Sequence, residues 1–275
     1  MLAGVFKNTT DFGGPSITSN GANDIVIVKL DADGGYVWQR AFGGTGFDNV
    51  TCLSQDGAGN LYFSGWFEST MTVGADELVP VGGHDGYVAK LSPDGEPSWA
   101  KSVGSTGDDF GPLCVRANAQ GDLLAVGTFA GTVDFGAGAL TFSDQDVVVL
   151  RYTSDGNLVS ATPYGGPGTQ VGRAIVLAGQ QLFVGGRYDS AFDLGGGPLP
   201  AGVDAEAFVA LITDSGAHVR SAGFPAAGYQ EVQAAAVDSL GRVWVAGQFE
   251  QSVDFGAGLL ASLGGRDVFV ARFDP

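Results

Sequence analysis

Short apolar runs broken by turns rich in Gly and Asp recur from one end of the chain to the other. Five of them, NDIVIVKLD, HDGYVAKLS, QDVVVLRYT, AEAFVALIT and RDVFVARFD, share one plan, an acidic residue followed by an apolar stretch. The acidic residues are Asp24, Asp85, Asp146, Glu206 and Asp267, spaced 61, 61, 60 and 61. An aromatic series, Phe6, Phe67, Phe129, Tyr188 and Phe249, is spaced 61, 62, 59 and 61, and Gly46, Gly107, Gly168 and Gly228 are spaced 61, 61 and 60. Three markers with one period read as a repeat, in which one supersecondary unit is copied and stacked.

Each copy predicts four short strands. In the second copy these are VTCLSQD, ending at Asp56, and LYFSGWF, ending at Phe67, joined by the turn DGAGN. A long connection from Glu68 to Gly83 leads to DGYVAKLS, from Asp85, and the turn PDGE precedes PSWAKSVG, which ends at Gly104. Asp-Gly turns between apolar runs are hairpin signals. No segment has a helical period, and β-branched and aromatic residues suit strands. In the third strand Ile25 to Val28 and Val147 to Leu150 are apolar without alternation, so both faces must be covered. Radially stacked four-stranded blades supply that cover, and small residues such as Ala234, Ala235 and Ala236 in the first strand suit the crowded innermost position.

The predicted fold is therefore all-β, a β-propeller of four-stranded antiparallel blades in a single domain spanning 1–275. The blades run approximately over 1–46, 47–107, 108–168, 169–228 and 229–275. The chain opens inside a second strand and stops after a third. This gives five blades with incomplete first and last members, or a piece of a larger propeller, with self-association through the incomplete blades as a consequence.

Composition narrows the function. Thirteen Lys and Arg stand against 30 Asp and Glu, a net charge of −17, and Gly occupies 46 positions, the signature of many turns. So acidic a chain is a poor partner for nucleic acid or an anionic membrane, both of which are bound through Lys and Arg. No run of 18 apolar residues exists for membrane insertion. MLAGVF lacks the basic region and cleavage site of a signal peptide.

The pattern D-x-F/Y-V-A-K-L-x-x-D-G-x-x-x-W, then G-x-G-D-D, then D-x-x-G-N-L-Y, resembles the bacterial SBBP-type β-propeller repeat. Its pieces here are Asp85 to Leu91, Asp94-Gly95, Trp99, Gly107-Asp108-Asp109 and Asp56 to Tyr62. The segments VDFGAG at 133–138 and 253–258, TDFGG at 10–14 and FDLGGG at 192–197 look like the form abundant in secreted proteins of myxobacteria. The resemblance implies an extracellular or cell-surface protein without an assigned catalytic role. Trp38 and Trp99 are replaced by Ser160 and Arg220 in later copies, so a site needing that Trp in every blade is not expected.

Candidate chemistry is thin. The DFG triplets at 11–13, 134–136 and 254–256 recur at repeat spacing and lack the other parts of a kinase. DADGG at 31–35 and SPDGE at 92–96 read as hairpin turns, with calcium as the minor alternative because the full loop pattern is absent. No other cofactor and no metal site is expected. His84 and His218 each flank a turn outside any metal motif. Cys52 and Cys114 are two small hydrophobes in equivalent strands, with a disulfide between them left open. Trp38, Trp66, Trp99, Trp244, Tyr62 and Tyr229 could stack sugar rings but read first as packing.

The connections between copies, 43–49, 104–110, 165–171 and 225–231, are the expected ligand-binding surface. Their candidate tip residues are Asp48, Asp108, Asp109, Thr169, Gln170, Tyr229 and Gln230. No catalytic residue is nominated. The expectation is a non-enzymatic extracellular binding or scaffolding module for a protein or polysaccharide partner. A lectin-like glycan binder is the alternative, followed by a glycoside-active enzyme using paired carboxylates.

Overall fold

The structure is a computed structural model describing residues 1–107, 109, 112–136 and 138–274. The chain is all-β: every regular element among the described residues is a strand. The longer strands make five sheets. The first contains β1 (Leu2–Phe6), β2 (Asp24–Leu30) and β3 (Tyr36–Phe42). The second contains β4 (Asp48–Gln55), β5 (Leu61–Phe67), β6 (Asp85–Leu91) and β7 (Pro97–Val103). The third contains β8 (Pro112–Ala117), β9 (Leu123–Asp134), β10 (Ala139–Tyr152) and β11 (Leu158–Tyr164). The fourth contains β12 (Gln170–Ala178), β13 (Gln181–Tyr188), β14 (Glu206–Thr213) and β15 (His218–Phe224). The last contains β16 (Gln230–Val237), β17 (Val243–Asp254) and β18 (Leu259–Phe273). In every sheet, strands adjacent in sequence are adjacent in space.

Short polar side chains build the turns. Oδ1 of Asp56, Asn118 and Asp238 each accepts two backbone N–H groups, two and four residues downstream, at 2.8 to 3.1 Å. Asp31 does the same between β2 and β3, holding Asp33 and Gly35. Asp134 and Asp254, which end β9 and β17, and Asp193, within the β13–β14 connection, hold their Gly residues in the same way. The DFG and DADGG segments are thus turns whose carboxylates are used locally.

Register brings the spaced marker residues together. Phe6 faces Asp24, Phe67 faces Asp85, Tyr188 faces Glu206 and Phe249 faces Asp267. On the other side of the same aromatic residues stand the first residues of the opening strands: Asp48 opposite Phe67, Gln170 opposite Tyr188, and Gln230 opposite Phe249.

A bulge follows in each of these opening strands, between Val50 and Cys52, Gly172 and Ala174, and Val232 and Ala234. It pushes one backbone carbonyl, that of Asn49, Val171 or Glu231, onto the next strand. There the chain carries Gly65, Gly186 and Gly247, where any Cβ would overlap that oxygen. The Tyr87 hydroxyl donates to the Asn49 carbonyl at 3.0 Å, so the displaced group is not left unpaired.

The chain divides into two compact units. One comprises Met1–Ala125, Ala130–Thr141 and Arg151–Val159; the other comprises Val126–Phe129, Phe142–Leu150 and Ser160–Pro275. In the first unit, Ile25, Ile27 and Phe42 pack face to face against Leu61, Phe63, Phe67 and Tyr87 of the second sheet. Val26 and Val28 point the other way, against Phe6, Ile17 and Leu30. The uniformly apolar strand is therefore covered on both faces. In the second unit, Val176, Phe183, Val209 and Leu211 pack against Val232, Val245, Phe249 and Phe269. The far face of the last sheet is bare: Val268 and Val270 are 74% and 63% exposed.

Replacing Gly65 by Ala should cost about 2–4 kcal/mol, because the added carbon meets backbone that cannot retreat without undoing the bulge. Gly57→Ala, in open space, should change stability by less than about 0.5 kcal/mol. Urea unfolding of both variants checks the pair; equal midpoints would contradict the account.

Candidate functional site

The connections between sheets are tied down from inside. Asp48 and Asp109 are each 1% exposed, and Gln170 and Gln230 are fully buried. Each side chain folds back on its own connection. Asp48 Oδ2 accepts the Gly44 N–H at 2.8 Å, and Asp109 Oδ2 accepts the Ser105 N–H. The amides of Gln170 and Gln230 donate to the carbonyls of Pro167 and Ala227, both at 2.9 Å. The backbone N–H of the same residue then donates to the preceding sheet: Asp48 to Asn23, Asp109 to His84 and Gln230 to Ala205, at 2.6 to 2.8 Å.

The expectation of solvated loop tips is corrected at these four positions. Asp48, Gln170 and Gln230 open the first strands of the second, fourth and fifth sheets, and Asp109 lies just ahead of β8. Thr169 is half-buried, its N–H donating to Asp189 Oδ1 at 2.7 Å. Asp108 lies outside the described residues. Of the seven candidates, Tyr229 meets a concentrated set of charged side chains.

That set belongs to the second unit. Glu231, on β16, has a side chain only 2% exposed, and its Oε1 is 2.9 Å from Arg173 Nε and 3.3 Å from Arg187 Nε. Its Oε2 accepts the Gln233 amide at 3.1 Å. Arg173 and Gln233 are the extra residues of their two bulges, which re-aim them toward Glu231. Burial opposes ionisation of Glu231, yet Arg173, Gln233 and the Tyr229 hydroxyl hold its pKa below the ordinary value. The Tyr229 ring carries the Arg266 guanidinium at 4.1 Å and that of Arg187 at 5.8 Å. Arg266 also pairs with Glu250 at 2.8 Å. Three guanidiniums against two carboxylates leave this patch positive in a chain of net charge −17. A fork fixed by a buried carboxylate and a ring keeps its outward N–H groups oriented for an incoming carboxylate.

The first unit carries a different cluster in the matching register. Trp66 lies beside Asn49 across the sheet and meets the His84 ring edge-on at 4.8 Å. His84 Nε2 is 2.9 Å from Glu68 Oε1, and Glu68 Oε2 accepts the Phe47 N–H at 2.9 Å. Phe47 is 45% exposed. His84 is thus engaged by an acid and an aromatic ring. Tyr62 and Trp99 are packing residues, with Trp99 Nε1 donating to the Ser154 carbonyl at 3.0 Å. Trp244, equivalent to Tyr62, lies on the bare last sheet, with its Nε1 donating to Asp238 Oδ2 at 3.0 Å. Among the described residues no group of three or more His, Cys, Asp or Glu is arranged to hold a metal.

Sequence reading missed Arg173, Arg187, Glu231 and Arg266. The available signal was a charge in place of a neutral residue at an equivalent position: Glu231 where Val171 stands, and Arg187 where Trp66 stands.

No protein-family model and no curated protein matches the chain. Among solved structures it is similar to a protein of unknown function from Bacteroides caccae, with 13% identity over 96% of this chain and 72% of that one, at a TM-score of 0.44.

Burial raises the pKa of Asp48 to about 7, assisted by the charges of Asp24 and Glu68 and opposed by the Gly44 N–H. Burial likewise raises Asp24, Asp85, Asp146 and Glu206. A carboxyl whose folded pKa lies above its unfolded value binds more protons when folded. Its contribution to stability is therefore complete below about pH 4 and lost as pH rises to about 7. For Asp48 the full loss is on the order of 4 kcal/mol, about 3 kcal/mol of it above pH 5, so Tm should fall by several degrees between pH 5 and pH 8. Asp48→Asn should flatten that fall, as Gln170 and Gln230 already place an amide at this position. Calorimetry across this range checks it; an unchanged slope in the variant contradicts it.

Proposed function

We propose that the chain is a non-enzymatic, extracellular binding module of the β-propeller type, akin to SBBP repeats, that recognises a carboxylate-bearing protein or polysaccharide through the Tyr229 arginine cluster. The five sheets are read as blades, the first and last incomplete. This is supported by the sequential strand order within each sheet and by the burial of β2 on both faces. The extracellular placement rests on the resemblance of the repeats.

One observation carries the binding reading. Buried Glu231 and the Tyr229 ring hold Arg173 and Arg187 of the fourth sheet together with Arg266 of the fifth. Such preorganisation lowers the entropy lost when a partner docks. The Arg266 side chain, 52% exposed, is the first contact for an acidic ligand. A second reading, neutral-sugar stacking, is favoured by exposed Phe47 beside Trp66, His84 and Glu68. The bare face of β18 would serve self-association, with Val268 and Val270 at its centre.

A glycan array that includes polyuronates and neutral sugars tests the main reading, alongside acidic peptides. Retention of uronate or acidic-peptide ligands should fall about tenfold or more in Arg266→Gln and in Tyr229→Ala, about the strength of one charge-assisted contact. Binding of neutral sugars alone, lost in Trp66→Ala and kept in Arg266→Gln, would replace it with the second reading. An array blank for anionic ligands would overturn it.

A further inference from the structure

Cys52 and Cys114 stand on the opening strands of neighbouring sheets, β4 and β8, in the first unit. Cys52 is the first residue past its bulge, where the second unit has Ala174 and Ala234. A methyl group suffices for packing at that position, so two sulfurs facing each other ask for another account.

Their surroundings are those of a sulfur anion. The two Sγ atoms are 2.6 Å apart. Cys52 Sγ also accepts the Val115 N–H at 3.3 Å and Arg116 Nη1 at 3.4 Å. The same Nη1 is 3.5 Å from Cys114 Sγ and donates to the Val115 carbonyl at 2.8 Å, which fixes the guanidinium over the pair. One sulfur thus faces a backbone N–H and a cation, with the second sulfur inside van der Waals contact, at the range where an S–S bond can form. The neighbouring Cys114 and the charge of Arg116 outweigh burial and hold the Cys52 thiol below its ordinary value. Cys52 is partly exposed and Cys114 is buried, so an incoming reagent reaches the more acidic sulfur first.

We propose that Cys52 and Cys114 form a dithiol–disulfide site that reacts with low-molecular-weight disulfides, Cys52 acting as nucleophile and Cys114 as resolving thiol. The Cys52 thiolate attacks one sulfur of R–S–S–R, forming a mixed disulfide and releasing RS⁻. Cys114 gives up its proton and attacks Cys52 Sγ, forming the internal S–S bond and expelling the second thiol. Two protein thiols are oxidised to one disulfide while the small disulfide is reduced to two thiols, so two electrons move and the protons leave with the products. Arg116 is a positioning residue: it lowers the charge cost of the thiolate and holds both sulfurs beside one cation. The bond formed would tie β4 to β8, giving oxidised chain a higher Tm than reduced chain.

The probe is oxidised glutathione on the full reduced chain, followed by intact mass. The expected product has lost two hydrogens and carries no glutathione, whereas Cys114→Ser retains one glutathione on Cys52. Iodoacetamide labelling of Cys52 in Cys114→Ser, which keeps a hydrogen-bond donor at that position, should have a midpoint below the roughly 8.5 of an ordinary thiol. Adding Arg116→Gln should raise that midpoint by at least one pH unit, and Arg116→Lys should restore part of it. A reduced chain that keeps both thiols in oxidised glutathione overturns the proposal, as does a Cys52 midpoint unmoved by the loss of Arg116. Should Arg116→Gln not fold, the mass products of wild type and Cys114→Ser decide alone.

Discussion

A carboxyl group withdrawn from water needs donors to meet its charge or a proton to cancel it, and this chain withdraws one at the head of an apolar strand in sheet after sheet. Asp24, Asp85, Asp146 and Glu206 are all buried there. Each accepts backbone N–H groups from a neighbouring connection: Asn20 for Asp24, Val81 and Gly82 for Asp85, Gly166 for Asp146 and Ala226 for Glu206. Glycines at 43, 104 and 165 lie flat against the three aspartates because a Cβ would overlap the carboxylate. Where the fourth sheet has the longer Glu206, Pro225 takes the place of that glycine. The connections take their course from these acids, and the residues that open the next sheet take theirs from the connections.

Two ways of living with the second buried polar group are visible. In the first unit it is another acid, Asp48 or Asp109: the charge of Asp24 makes Asp48 harder to ionise, and that of Asp109 makes Asp85 harder to ionise. In the second unit it is Gln170 or Gln230, which supplies the same reach without the charge. The amide donates to a carbonyl of its own turn where the carboxyl accepts an N–H, so one backbone path is served by opposite hydrogen-bond polarity.

Much of the strand plan was legible because it rests on local chemistry. Hairpin turns announce themselves through Asp and Gly, and the spaced aromatic and acidic markers face each other in the first, second, fourth and fifth sheets. The candidate site was harder to see, for two physical reasons. Polar residues beside glycines read as solvated tips, whereas Asp48, Asp109, Gln170 and Gln230 turn inward to satisfy their own loops. The bulges, moreover, have no residue signature of their own: Thr51, Arg173 and Gln233 have little in common except position. Without the bulge, the approach of Arg173 and Gln233 to Glu231 could not be anticipated from spacing.

The pairing of a bulge with a glycine also bears on how such a chain can change over time. Gly65, Gly186 and Gly247 are bound to the bulges across from them, since a side chain requires the bulge to vanish, and deleting the bulged residue turns the rest of the strand inside out. Neither position can be altered by itself without passing through a damaged intermediate. The bulged side chain is under no such tie, and it is different in each of the three strands: Thr51, Arg173 and Gln233. Drift is thus channelled into the bulged position, where side-chain chemistry can change while the bulge and the glycine across from it hold the frame of the strand.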